Sequence, residues 1–313
     1  MCELGVELAN RGHEVEFYAL PFMMGAKRKL DPHEVIGGLP YHEGWTHKVR
    51  ADAAYTFYHP LSSLNFRATG KKIASFHSQA FFMRSVNTSY GLAPMLASYG
   101  TRLIGPLELK TFDAIHSHYP QPLFRNHKTY MIPGWVDTNV FRPRGPKHDE
   151  FTVLFSGRAL WQKGWDIYVQ LARRMRNLGI RFQYVGGAVK DDIIHSLGFQ
   201  SNMLALSRIY NESHVLMDPV RADTFGRVAI ESMACGTPVV TTPSLSHVGL
   251  KLPFVFGNTL DEYEASILRL KDLWESGQPY RKLSQDCSHS VEGFGFDKTV
   301  TEYEKMFYEV VAS

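Results

Sequence analysis

Short apolar runs alternate with amphipathic stretches along the whole chain. Leu4 and Leu8 share one face of an opening helix that Gly12 stops. "HEVEFYAL" then reads as a strand, and "DAAYTFYHP", "KKIASFHS" and "FDAIHSHYP" as three strand-then-loop units. "KTYMIPGWVDTNVFRP" closes the first half with a strand, a loop and an exit bounded by proline. The second half restarts the rhythm with "FTVLFSG", a buried strand entering a glycine turn. Ile167, Leu171, Met175 and Leu178 follow at helical spacing, with Gly179 as the stop. "RFQYVGG" and "SHVLMDPV" are further strands, with "SRIYNES" on a short helix before the latter. A terminal helix puts Val300, Tyr303, Phe307 and Val310 on one face. Strands alternating with helices predict an α/β fold built on parallel sheets. The polar stretch "RPRGPKHDE" (142–150) has the Pro, Gly and charge of a linker. The expected organisation is a first domain over 1–143, a second over 144–290 and a terminal helix over 291–313.

Composition narrows the class. With 44% hydrophobic and 21% charged residues, extended disorder is excluded. No apolar run approaches the roughly 18–20 residues that span a bilayer. The start lacks the charged segment, apolar run and cleavage site of a signal peptide. Cys2, Cys235 and Cys287 are too scattered for a disulfide framework or a zinc site, so reduced thiols and a cytoplasmic protein are expected. Charge is uneven: residues 1–150 hold 17 Lys and Arg against 13 Asp and Glu, and 10 of the 14 histidines. That half suits an anionic partner such as a lipid surface, an acidic glycan or nucleic acid, or a peripheral seat at an anionic surface. Scattered surface charge explains the same counts.

Two turns in the second half look built for an anion. In "FSGRALWQKGWD", Ser156-Gly157 ends a strand, and Arg158 and Lys163 flank the turn into a helix. Two cations beside a helix N-terminus can grip a diphosphate, although such residues are also ordinary surface charges. In "ADTFGRVAIESMACGTPVV", Phe225 and Gly226 lead into a helix whose first N–H groups have no partner within it. Glu231 lies about one and a half turns inside that helix, placed to take hydroxyl groups or merely to face solvent. Asp223 precedes it, as a polyol acceptor or a helix cap. His116 and His118 offer at best two metal ligands. The chain has no Asp-x-Asp, no Gly-x-Gly-x-x-Gly and no Walker loop. A nucleotide sugar would account for both turns together.

"PVRADTFGRVAIESMACGTPVVTTP" closely resembles the donor-site signature of retaining glycosyltransferase family 4, the glycosyl transferases group 1. "FSGRALWQKGWD" is similar to its diphosphate loop, "IPGWVDTNVFRP" to its interdomain segment, and "ANRGHEVEFY" to its first Arg-Gly-His-Glu-Val unit. The resemblance covers almost the whole chain in order, more strongly in the second half. It implies a GT-B fold: two Rossmann-like domains with parallel sheets facing across a cleft, and a C-terminal helix crossing back to the first domain. It further implies that Gly157, Arg158 and Lys163 bind the donor diphosphate and that Glu231 holds the ribose. Asp223, with the main chain of Phe225, Gly226 and Arg227, holds the donor sugar, and His77 in "ASFHSQ" lines it. No metal and no cofactor beyond the nucleotide diphosphate sugar, UDP- or GDP-linked, is implied, and the acceptor hydroxyl is open: a glycan, a lipid-linked sugar or a modified nucleobase. Three departures stand out. Asp223 replaces a glutamate, "PGWVD" brings in Trp135 as a stacking or packed residue, and the chain begins inside the family's first helix, without its first strand and glycine-rich loop. A sheet without that strand would leave apolar edges. A nucleotide-sugar-binding protein with weak or lost transfer and a nucleotide-sugar epimerase are the competing readings.

Overall fold

The structure is a computed structural model that describes residues 2–20, 37–59, 62–77, 99–100, 103–119, 124–221 and 225–313. Two compact units emerge. The first comprises Met1–Ser117, Gln121–Ile132 and Asp297–Ser313; the second comprises His118–Pro120 and Pro133–Phe296. Asp223 lies outside the described residues.

The first unit opens with α1 (Cys2–Asn10), whose Leu4 and Leu8 are buried as their spacing predicts. Its strands are β1 (Phe17–Ala19), β2 (Tyr41–Glu43), β3 (His47–Val49), β4 (Ala53–Phe57), β5 (Phe66–Ala68), β6 (Lys71–Phe76), β7 (Ala114–Ser117) and β8 (Thr129–Met131). Among the described residues they form a four-stranded parallel sheet, β4-β6-β7-β8, and two parallel pairs, β1-β2 and β3-β5.

The second unit holds a six-stranded parallel sheet made of β9 (Thr152–Ser156), β10 (Arg181–Val185), β11 (Ile194–Ser196), β12 (Val215–Asp218), β13 (Val239–Thr241) and β14 (Val255–Phe256). Its order is β11-β10-β9-β12-β13-β14. That is the doubly wound order, and it reverses between β9 and β12. Both faces are covered, which is why "FTVLFSG" is an unbroken apolar run rather than an alternating one. Phe151, Val153 and Phe155 pack to one side with Tyr168, Leu171 and Met175 of the segment α2 (Trp165–Arg174) and its end. Leu154 and Leu216 pack to the other with Tyr210 of α3 (Met203–Glu212) and Ile230 and Met233 of α4 (Arg227–Ala234). Leu178, expected on the buried stripe of α2, is 42% exposed: the helix ends at Arg174, and past that point the period no longer aims side chains at the sheet. Three further helices follow in the second unit: α5 (Leu245–Leu250), α6 (Leu260–Glu275) and α7 (Gln278–Ser290).

The terminal helix α8 (Phe296–Val311) belongs to the first unit from Asp297 onward. Val300, Tyr303, Met306 and Val310 are its buried face, and Phe307 sits at the margin against Tyr55. Glu304 ties it to the start of the chain, meeting His13 Nε2 at 2.7 Å and Arg11 Nη1 at 3.3 Å. Hydrogen bonds from His13 and Arg11 hold the Glu304 carboxyl below the usual carboxylate range, against a smaller opposing effect of burial.

The polar stretch 142–150 is stitched to the end of α3 rather than hanging free. Arg144 N–H donates to Asn211 Oδ1 at 2.6 Å, and His148 N–H to Glu212 O at 2.9 Å. Lys147 Nζ donates to Ser213 O at 2.6 Å, Thr237 Oγ1 at 2.9 Å and Asn211 O at 3.3 Å. The ammonium thus serves carbonyls at a helix C-terminus that no intrahelical donor reaches. Burial pushes it down to about 8. An unfolded lysine titrates near 10.5, so between pH 8 and 10.5 the unfolded chain holds a proton the folded chain lacks. Stability attributable to Lys147 therefore rises with pH through this window, by on the order of 3 kcal/mol. Thermal melts of wild type and Lys147→Met from pH 7 to 10 are expected to show the difference moving in favour of wild type as pH increases; parallel curves would contradict this.

Candidate functional site

In a doubly wound sheet the ends of the two strands flanking the order reversal are splayed by helices leaving in opposite directions. Here those strands are β9 and β12, joined in register at Val153↔Val215 and Leu154↔Leu216. The turn after β9 carries Gly157, Arg158 and Lys163, and the turn after β12 leads to Phe225, Gly226 and α4. Both turns therefore leave the same edge of the sheet, side by side.

Gly157 N–H is spent on Val185 O at 2.9 Å, so this residue offers room rather than a donor. Arg158 is exposed, and Lys163 is half-buried at the end of the 3₁₀ turn Trp161–Lys163. Gly164 follows in the left-handed conformation (φ 74°), and a Cβ there would sit 2.1 Å from Pro219 O. The two turns thus touch backbone to backbone, and only glycine permits it. Arg221 closes the contact. Its guanidinium meets Asp166 in two parallel bonds of 2.6 and 2.8 Å, donates to Trp161 O, and lies 4.4 Å over the Trp161 ring. Burial of Asp166 opposes its ionisation, but the hydrogen bonds and charge of Arg221 prevail and hold its carboxyl below its ordinary value.

Gly226 caps α4, again left-handed (φ 73°), with the His247 ring directly beneath it: a Cβ would meet Nε2 at 2.4 Å. His247 is fully buried, bonded through Nδ1 to Thr241 Oγ1 at 2.9 Å and 3.8 Å from Asp218. The Phe225 side chain points inward, against Gly134 and within ring contact of His118 and Phe294. Any contact it makes with a ligand is through its main chain, where the helix start leaves N–H groups without intrahelical acceptors.

Glu231 lies in the fifth position of α4 and is 6% exposed, not the solvent-facing carboxylate that its lone position also allowed. One oxygen accepts from Tyr210 Oη at 3.3 Å, and the other from Arg227 Nη2 at 3.2 Å. Tyr210 Oη is itself 2.9 Å from Ser156 Oγ at the end of β9. A polar chain therefore runs from β9 through α3 to α4. Sequence reading named Glu231 and Arg227 but missed Tyr210 and Ser156. Ser156 lay in plain view beside Gly157, whereas Tyr210 had no signal at all. Burial raises the Glu231 carboxyl above its ordinary value, with Arg227 and Tyr210 opposing. Arg227 takes both acceptor sites of Oε1, through Nη2 at 3.2 Å and Nε at 3.3 Å, whereas Oε2 keeps a lone pair to accept a hydroxyl group.

In the first unit, His77 is half-buried at the end of β6. Its Nε2 is 2.6 Å from Ser75 Oγ and 3.2 Å from Tyr55 Oη, and its ring lies against Phe57. Behind it, His116 Nδ1 is 2.7 Å from Tyr55 Oη and 2.9 Å from Ser75 Oγ, while its Nε2 faces Ile132 O at 3.0 Å. A carbonyl only accepts, so the His116 proton sits on Nε2 and Nδ1 accepts from a hydroxyl. Tyr303 of α8 joins the same ring at 3.2 Å. His116 and His118 part company: the former is buried in the first unit, the latter packs on Phe225 in the second. Among the described residues no group of His, Cys, Asp or Glu is arranged to hold a metal ion. Trp135 is half-buried and packs on Phe296. Burial pushes the free thiols of Cys235 and Cys287 up to about 11 and about 12. No helix of the described residues is long and apolar enough to cross a membrane.

Comparison with known proteins fits this geometry. Residues 150–259, the segment holding both turns, match the glycosyl transferases group 1 family. The chain is 27% identical over 232 residues to a D-inositol 3-phosphate glycosyltransferase of Paenarthrobacter aurescens, covering 64% of this chain and 55% of that protein. A D-inositol 3-phosphate glycosyltransferase 1 of Catenulispora acidiphila is 32% identical over 145 residues, 36% of this chain and 35% of its own. The chain thus spans about half or less of these curated relatives. Among solved structures, sucrose-phosphate synthase from Thermosynechococcus elongatus superposes with a TM-score of 0.73 at 18% identity, over 99% of this chain and 92% of that one. Anabaena HepE, solved in complex with UDP and glucose, gives 0.68 at 15% identity, over 100% and 95%. The fold is GT-B, and the matched segment lies in its doubly wound second unit.

The raised carboxyl of Glu231 has a thermodynamic signature. A folded-state value above the unfolded one means that the protonated form is favoured in the fold, so the benefit is complete below about 4.5 and is lost as pH rises through the folded value. Glu231→Gln is accordingly expected to melt at or above the wild-type temperature at pH 7, with the gap closing towards pH 4. A clear drop at pH 7 would show that the Arg227 pair outweighs the burial cost.

Proposed function

We propose that the protein transfers a sugar from a nucleoside diphosphate sugar, UDP- or GDP-linked, to an acceptor hydroxyl, with retention at the anomeric carbon and without a metal ion. The observation that carries this reading is the adjacency of the two turns at the β9–β12 reversal, with a buried, hydrogen-bonded Glu231 beside them. Arg158 and Lys163 hold the diphosphate in the room left at Gly157, and Glu231 accepts the ribose hydroxyl groups. Asp223 and the main chain of Phe225, Gly226 and Arg227 hold the donor sugar, and the resemblance to family 4 assigns a donor-lining role to His77, which Ser75 and Tyr55 brace.

In the reaction the bond from the anomeric carbon to the leaving diphosphate oxygen breaks. The acceptor oxygen bonds to that carbon on the same face, and its proton passes to a leaving-phosphate oxygen. No protein nucleophile is required. The two basic side chains and the helix start stabilise the charge that develops on the diphosphate. Retention rests on the resemblance to family 4. Metal independence rests on the same resemblance, with the absence of Asp-x-Asp and the presence of basic side chains where a cation would otherwise serve. The excess of basic residues and histidines over residues 1–150 favours an anionic acceptor. So do the names of the relatives, which are D-inositol 3-phosphate glycosyltransferases.

The test is a thermal-shift and hydrolysis screen of the purified chain against a panel of nucleotide sugars, with Lys163→Ala and Glu231→Ala alongside. A donor that stabilises wild type and is slowly hydrolysed by it alone is the expected result. Each variant should bind that donor about 10- to 100-fold more weakly, the loss of a hydrogen bond to a charged group at ~1.5–3 kcal/mol. Stabilisation without hydrolysis would favour a binding protein, and conversion of the donor sugar without any acceptor would favour an epimerase.

A further inference from the structure

The contact between the two turns is more elaborate than a fold requires. From three residues past β12, Arg221 grips the turn after β9 at several points. Its N–H donates to Gln162 O at 2.9 Å, its guanidinium to Trp161 O and, in a fork, to both oxygens of Asp166. Its planar group also lies on the Trp161 ring, and Pro219 O abuts Gly164. Lys163 sits between these points of grip, one residue from Gln162 and one from Gly164. The side chains of Arg221 and Asp166 are 26% and 41% exposed, and ion pairs so open to solvent add little to global stability. Their effect is local.

We propose that Arg221 is a positioning residue that holds the backbone of the Lys163 turn, so that the lysine reaches the donor diphosphate from a fixed base. This deepens the donor-site reading and rests on it. Lysine is a flexible four-carbon stem, and anchoring its root removes part of the ordering cost that binding would otherwise meet. The fork and the stacked plane need a guanidinium; an ammonium supplies charge but neither geometry.

Isothermal titration with UDP and with GDP, whichever wild type binds, separates the alternatives. Arg221→Ala and Arg221→Lys are both expected to weaken binding about tenfold, and Asp166→Asn by a few-fold, with melting temperatures close to wild type. In a Lys163→Ala background, Arg221→Ala should cost almost nothing further, because the clamp acts through that lysine. Full binding by Arg221→Lys would overturn the clamp in favour of simple charge. Additive losses in the double variant would overturn it too, by showing that Arg221 acts independently of Lys163, as would unchanged binding by Arg221→Ala. If wild type binds neither nucleotide, the donor reading falls and the clamp with it. That outcome is distinct from a wild type that binds while Arg221→Ala binds equally well.

Discussion

The pairing of β9 with β12 is the contact on which the candidate site depends. About sixty residues separate these strands in the chain, yet Val153 stands opposite Val215 and Leu154 opposite Leu216. Parallel pairing points both carboxyl ends the same way, so the turns that follow must leave from one edge. The order reversal at this point sends the covering helices to opposite faces and keeps the edge uncovered. Were β12 paired elsewhere, Lys163 and Glu231 would belong to unrelated surfaces.

Around that edge the polar groups are handled sparingly. Glu231 is almost wholly buried, yet it is served from both sides, by the Tyr210–Ser156 chain and by Arg227. A carboxylate held in this way is oriented before any ligand arrives, and orientation ahead of binding is where affinity is gained. His247 performs a steric service beneath Gly226: with the ring against the helix start, no side chain fits there, and the main chain of α4 is left bare for an approaching partner. Buried apolar packing of Phe225 fixes the same helix start from the other side.

The first unit solves a different problem with aromatic and histidine side chains. Tyr55, Ser75 and His116 form one hydrogen-bonded cluster, and α8 contributes Tyr303 to it although it is the last element of the chain. The terminal helix is thereby tied both to the interior, through Tyr303, and to α1, through Glu304. His77 hangs from this cluster through Ser75, so its orientation depends on residues drawn from β4, β6, β7 and α8.

Periodicity alone was enough to recover the α/β class, the strands β9, β10 and β12 and three of the four apolar residues buried on α8, with Met306 taking the place expected of Phe307, because strands covered on both faces must be continuously apolar and helices on a core must be striped. The candidate site was legible where its residues lie close together in the chain: Gly157 and Lys163 share one short motif, and Gly226 and Glu231 another. What the sequence could not disclose was decided by contacts between distant segments. Nothing in the spacing of Arg221 and Asp166 announces a fork, since the pair forms only once β9 and β12 lie together. Tyr210 reads as one more helical aromatic until the sheet sets it between Ser156 and Glu231. Lys147 reads as linker charge until the end of α3 presents its open carbonyls. Chain-local preferences select turns, helices and strands; strand order, which is a matter of tertiary packing, selects which of their side chains meet.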